Sequence, residues 1–253
     1  MTLAERLKID GLLVFSSALP IAKQNAFLDD VRSFPGKRPA TGHWGPSYMT
    51  IGDMFDLSHD WMSFKYAVES QTRYAVEFGK RGIPDLPRLL NSGLPGFRGK
   101  VKAGTTFYRA RRFDSSMQGR TPRDDEIDAP PTNHASAGRA NATGIRVLYV
   151  ATDETTAVAE VRPFVGAMVA VGTCVPIDDL LIFDMTSMSH IRGLDPFAPQ
   201  FKQNIDDAKI IASINEEFAR PLALYAPERE YAPTQFVAEI IRQARYDGIR
   251  YLP

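Results

Sequence analysis

Ile145-Arg146-Val147-Leu148-Tyr149-Val150-Ala151-Thr152-Asp153-Glu154-Thr155-Thr156-Ala157-Val158-Ala159-Glu160 is the stretch that decides the fold class of this 253-residue chain. Ile145 to Ala151 has the β-branched and aromatic content of a strand. Thr152-Asp153-Glu154-Thr155-Thr156 then supplies a strong helix start, so a helix is predicted over Thr155 to Val161. Outward from this unit, further strands are predicted at Thr105 to Arg109, Val165 to Val175, Leu180 to Asp184 and Gly248 to Tyr251. Helices are predicted at Ile205 to Phe218 and Thr234 to Arg245, the last between Pro233-Thr234 as start and Tyr246-Asp247-Gly248 as stop. Strands and helices mix without a regular βαβ repeat, which favours α+β, a mixed β core with flanking helices, over a doubly wound sheet.

Upstream the pattern is mainly helical. Its clearest piece runs from a Ser58 or Asp60 cap to Gly79, with Trp61, Phe64, Tyr66, Val68, Tyr74, Val76 and Phe78 forming a broad apolar surface that wants partners on more than one side. The Pro- and Gly-dense segment 34–46 reads as a long ordered loop, and Asn91 to Gly96 as a second break. The chain is therefore expected to divide into a mainly helical region, 1–96, and an α+β domain, 97–253.

Composition narrows the function classes. Lys+Arg and Asp+Glu are both 30, so the formal net charge is +0 and no global field draws the protein to nucleic acid or an anionic membrane. Any anion site must be local. The basic cluster Arg98, Lys100, Lys102, Arg109, Arg111, Arg112 is followed by Asp124, Asp125 and Glu126, which fits a phosphate site or a solvated edge better than a nucleic-acid patch. A single cysteine, Cys174, permits neither an internal disulfide nor a Cys-based zinc site, and a reducing cytoplasm fits best. Gly11 to Leu19 is apolar behind Lys8 but is short and broken by serines, unlike a secretion signal, and nothing is long enough to span a bilayer.

Two motif matches fail on physical grounds. Gly93 to Lys100 has the glycines and lysine of a phosphate loop, but the spacing is one residue too long and Val101 stands where Ser or Thr is needed. Arg38 and His43 have an Arg-x4-His ribonuclease spacing that needs a helix, which Pro39 and Gly42 oppose. His43, Trp44 and His59 read more naturally as core aromatics than as part of a lid over a cleft.

The informative residues lie further on. In Thr106-Phe107-Tyr108-Arg109-Ala110-Arg111-Arg112 strand alternation puts Phe107, Arg109 and Arg111 on one face. An inward arginine meets either a structural carboxylate or a ligand anion, and its planar fork suits a pyrophosphate. Gly138 and Gly144 bracket Arg139 and Asn141 in a loop that lets backbone approach a ligand. Glu160 lies one helical turn from Thr156 among small apolar neighbours, as a salt-bridged structural acid, for which Arg162 is at hand, or a poised catalytic one.

Tyr108-Arg109, Gly138-Arg139-x-Asn141, Leu148-Tyr149-x-Ala151, Thr156-Ala157-x-Ala159-Glu160 and Tyr231-x-Pro233-Thr234-Gln235, followed by Asp247-Gly248-Ile249-Arg250-Tyr251, together resemble the RES domain, named for its Arg, Glu and Ser. The resemblance runs from about Val101 onward. It implies a fold similar to ADP-ribosyltransferases and an activity that depletes NAD+, as in toxins of toxin–antitoxin pairs. By position Arg109, Tyr149 and Glu160 are the implied catalytic residues, Tyr149 being the aromatic of the nicotinamide pocket. Arg139, Asn141, Thr234 and Gln235 are the implied NAD+-binding residues. NAD+ is a substrate here, so no cofactor and no metal is implied; inorganic phosphate and a cognate antitoxin protein are the implied further partners. The acceptor is left open among water, phosphate and a protein side chain, making the enzyme a hydrolase, a phosphorylase or an ADP-ribosyltransferase; a catalytically silent binding module is the remaining alternative. Val158 two residues before Glu160 departs from the Glu-x-Glu pattern of arginine-modifying transferases. The family serine follows the Gly-Ile-x-Tyr strand, whereas this sequence stops at Leu252-Pro253, so either the serine lies beyond Pro253 or an upstream hydroxyl such as Thr234 has its role.

Overall fold

A computed structural model of the chain describes residues 12–16, 51–80, 83–91, 97–113, 121–186, 199, 201–220 and 228–252. Segment 34–46 and the break after Asn91, at 92–96, lie outside them. Thirteen elements build the described structure: β1 (Leu12–Ser16), α1 (Ile51–Ser70), α2 (Leu86–Asn91), β2 (Arg98–Val101), β3 (Phe107–Phe113), α3 (Asp124–Ile127), β4 (Val147–Ala151), α4 (Glu154–Glu160), β5 (Met168–Cys174), β6 (Leu180–Asp184), α5 (Phe201–Ala219), α6 (Ala232–Gln243) and β7 (Gly248–Tyr251). Short 3₁₀ turns cover Thr132–His134 and Glu228–Tyr231.

The strands form a mixed sheet in the order β2-β6-β7-β1-β4-β3-β5, and the fold is α+β as predicted. β1 is parallel to both β4 and β7, and β6 is parallel to β7. β2 on β6 and β3 on β5 are antiparallel. The apolar run that opens the chain thus supplies a strand to the middle of the sheet. β4 is flanked by neighbours on both edges and its residues are buried or nearly so, which explains its unbroken Val-Leu-Tyr-Val-Ala character. β3 and β4 share one residue pair only, Tyr108 with Ala151. Past that pair the strands part, and the sheet is split between a five-stranded portion and the β3–β5 pair.

Local chemistry explains the helix limits. Asp153 caps α4, its carboxylate accepting from the Thr156 amide and hydroxyl, both at 2.8 Å. α6 has Pro in its first turn but ends at Gln243, short of the predicted Gly248 stop. Arg245 takes the left-handed conformation (φ 65°) and the Tyr246 amide reaches back to the Ile241 carbonyl, a terminating motif that glycine usually supplies. Gly248 instead opens β7. α1 also differs from expectation: it starts at Ile51, so Ser58 and Asp60 lie inside it, and it stops at Ser70, where the Gln71 and Thr72 amides both bond to the Ala67 carbonyl. Among its described side chains Trp61, Phe64, Ala67 and Val68 are buried and Tyr66 is exposed; past its end Tyr74 is exposed, while Val76 and Phe78 pack against the core as expected.

One core joins these parts. Trp61, Phe64, Val68, Leu86, Leu89 and Leu90 pack with Phe218, Val237, Ile241, Ile249 and Tyr251. Arg88 on α2 grips the buried Asp207 on α5 through two bonds of 3.0 and 2.6 Å. Packing is therefore continuous from α1 and α2 into the elements after residue 97. The opposite face of the sheet carries a second cluster of Val101, Phe107, Leu148, Val150, Cys174, Leu180 and Ile182.

Candidate active site

A closed hydrogen-bond network fixes the loop before β4. The Tyr149 hydroxyl donates to Asn141 Oδ1 (2.8 Å) and accepts from the Ala140 amide (2.9 Å). Asn141 is buried, and its amide nitrogen is shared among the carbonyls of Ser136, Ala142 and Ile145 at 2.8 to 3.2 Å. From α6, Gln235 Nε2 donates to the carbonyls of Gly138 (2.9 Å) and Asn141 (2.8 Å). Thr234, also buried, donates to the Tyr231 carbonyl at 3.0 Å. Gly138 is required by close approach: a Cβ there would sit 2.5 Å from the Tyr149 hydroxyl and 2.7 Å from Asn141 Oδ1. Asn141, Thr234 and Gln235 thus have polar groups committed within the protein, and they hold Arg139 and Tyr149 in place. What Tyr149 offers a ligand is its ring. Tyr149→Phe is expected to leave two buried groups unpaired and to lower stability by about 1–3 kcal/mol, read from urea unfolding.

Arg139 sits on this loop, with Nη1 3.4 Å from the Glu217 carbonyl at the end of α5. It acts electrostatically on Tyr149 and on Tyr251 of β7. Burial pushes both phenols well above their ordinary range, so they stay neutral donors. Glu160 is the last residue of α4 and is exposed; it acts on Tyr251 and makes no ion pair or hydrogen bond among the described residues, with Arg162 or any other partner. α4 is seated by Ala157 against Ala110 and Ala151. Tyr149, Tyr251 and Glu160 therefore gather on the face of the sheet that bears α4.

Arg109 comes from the other side. Register pairs Tyr108 with Ala151, so alternation sends Arg109 to the face of Phe107, Val150 and Cys174. It is mostly buried, its Nη1 is fully buried with no hydrogen-bond partner, and no carboxylate is bonded to it among the described residues. Burial pulls its pKa down, with Cys174, Arg111, Asp128 and Tyr149 as its electrostatic neighbours. Of the other predicted residues only Tyr149 is among these electrostatic neighbours. The rest of the basic cluster disperses: Arg98 and Lys100 lie on β2 at the far edge of the sheet, Lys102 pairs with Asp179 at 2.6 Å, and Arg111 binds the Glu126 carbonyl.

Cys174 flanks this side, buried, its thiol pushed up to about 11 by desolvation. Alkylation at pH 8 is expected to run at least about 100-fold slower in the native protein than in urea, because the thiolate is the reactive form. Mass spectrometry of iodoacetamide-treated protein reads this directly.

Tyr231 and Tyr251 were present in the motifs but not singled out as site residues. Tyr251 could be found only by knowing that β7 and β4 flank the same strand, a pairing between segments about a hundred residues apart. A family model described as the RES domain matches residues 106–252, more than half of the chain. Searches among curated proteins and among solved structures returned no match.

Proposed function

The chain belongs to the RES domain family, and from that premise we propose that it is an NAD+-consuming enzyme that breaks the nicotinamide–ribose bond. The single observation that supports this most is the buried Arg109 guanidinium with an unpaired Nη1 and no carboxylate among the described residues bonded to it. A buried charge without a partner is costly. A dinucleotide pyrophosphate supplies the missing acceptor, and Arg139 provides a second cation on the other wall of the split.

The chemistry then follows from charge. As the C–N bond breaks, its electron pair goes to the pyridine nitrogen, so nicotinamide leaves neutral and needs no acid. C1′ of the ribose becomes oxocarbenium-like, and the unpaired Glu160 carboxylate stabilises it. The Tyr149 ring covers the nicotinamide face and limits access of bulk water. Attack by inorganic phosphate gives ADP-ribose 1-phosphate; attack by water gives ADP-ribose and a proton. In keeping with the family's toxins, we assign the protein a toxin-like role in the cytoplasm, held in check by an antitoxin protein.

The test is incubation with NAD+, with and without phosphate, and chromatography of the products. Nicotinamide accumulating with ADP-ribose 1-phosphate or ADP-ribose supports the reading and identifies the acceptor. Label from NAD+ appearing on protein would make it a transferase, and absence of nicotinamide in every condition would make it a binding module.

A further inference from the structure

We propose that Lys65 and Glu217 are positioning residues for Arg139, so that α1, which precedes the residues matched by the family model, helps to aim a phosphate-binding cation of the site. The proposal rests on the NAD+ reading above and adds to it the residues that hold one of its two arginines.

Arg139 is half-buried, and its hydrogen bonding among the described residues is confined to Nη1 and the Glu217 carbonyl, 3.4 Å apart. That carbonyl is open to an outside donor for a reason written in the sequence. Its helical donor would be the amide of residue 221, which is a proline and has no amide hydrogen. The Glu216 carbonyl, one residue earlier, still receives the Arg220 amide at 2.8 Å. The end of the 19-residue α5 also bears partial negative charge, which favours a cation there. With Nη1 held by this acceptor, Nε and Nη2 remain. They share one edge of the guanidinium and form a fork for a phosphate.

The Glu217 side chain keeps the acceptor in place. Its carboxylate accepts from Lys65 Nζ of α1 at 2.9 Å and from Arg220 Nη2 at 2.8 Å. The Lys65 and Glu217 side chains are only 14% and 10% exposed, so their attraction is screened less than that of a surface pair. Glu69, the other carboxylate beside Lys65, is farther away at 3.9 Å. On the loop side, the carbonyls of Gly138 and Asn141, which flank Arg139, are tied to Gln235. Loop and helix end are thus each fixed, and the Arg139 side chain spans them.

The experiment measures kcat and KM for nicotinamide release by the full chain, Lys65→Met, Lys65→Arg and Glu217→Gln, each with and without Arg139→Met, well below every thermal midpoint. Lys65→Met is expected to raise KM for NAD+ about fivefold with kcat little changed, the cost of ordering one long side chain on binding. Lys65→Arg should recover most of that loss. Glu217→Gln keeps the carbonyl but loses both charge-assisted bonds; it should match Lys65→Met and serves alone if that variant does not fold. In the Arg139→Met background neither change should raise KM further, because the route to the substrate is gone. A KM that does not move in the folded variants overturns the proposal and leaves the NAD+ reading standing. So does a rise of equal size with and without Arg139, which makes the pair merely structural. A wild-type chain that releases no nicotinamide overturns the NAD+ reading and this proposal with it.

Discussion

Glu160→Gln is expected to lower nicotinamide release from NAD+ by about 100- to 1,000-fold, the range seen when a group that stabilises transition-state charge is removed. KM should change little, since the charge is used only as the oxocarbenium forms. The fold should be untouched. Glu160 is exposed and unpaired among the described residues, and glutamine has similar helix propensity. The position even disfavours an acid: Glu160 closes α4, where the last carbonyls carry partial negative charge. A carboxylate that gains nothing from its helix end or from a neighbour has no structural reason to be there. Single-turnover assays together with thermal melts decide the matter, and full turnover in the variant would remove Glu160 from the mechanism.

Arg109→Met is expected to separate binding from stability in the opposite way to an ordinary core mutation. Methionine replaces the long stem and removes a buried charge whose Nη1 has no partner, so the thermal midpoint should hold or rise. NAD+ affinity, measured by calorimetry under conditions that block turnover, should fall by about 10- to 100-fold, the worth of charge-assisted hydrogen bonds to a pyrophosphate. A marked drop in midpoint with unchanged affinity would make Arg109 a structural residue.

Much of this was legible from local sequence. Leu180–Asp184 and Gly248–Tyr251 are strands where their β-rich runs predict them, and the Asp153 cap places α4 within a residue of expectation. Local signals failed where the deciding interaction was local but unusual, or not local at all. Arg245 ends α6 in a conformation its side chain does not advertise. Gly11 to Leu19 could not reveal that Leu12–Ser16 lies between β4 and β7, because the partners that make it a strand come from segments more than a hundred residues away. In the site, residue types marked a loop bracketed by Gly138 and Gly144 that carries Arg139 and Asn141 and feeds the strand of Tyr149. They did not show that Asn141, Thr234 and Gln235 have their polar groups engaged by the protein itself. Nor did spacing reveal that Arg109 lies on the opposite face of the sheet from Tyr149.

The place of β1 in the sheet also bears on when the protein can first act. Leu12–Ser16 leave the ribosome early, but the strands on either side of them are not made until residues 147–151 and 248–251 have been translated. Closing such distant pairs is slow compared with helix formation. A nascent chain therefore cannot seat β1 between β4 and β7 before residue 251 has been made, and a chain ended before Gly248 should show no cooperative unfolding transition by calorimetry. Under the proposed NAD+-consuming reading, this order of assembly keeps the site incomplete until β7 has been made, a period in which a binding partner can arrive before the enzyme is active.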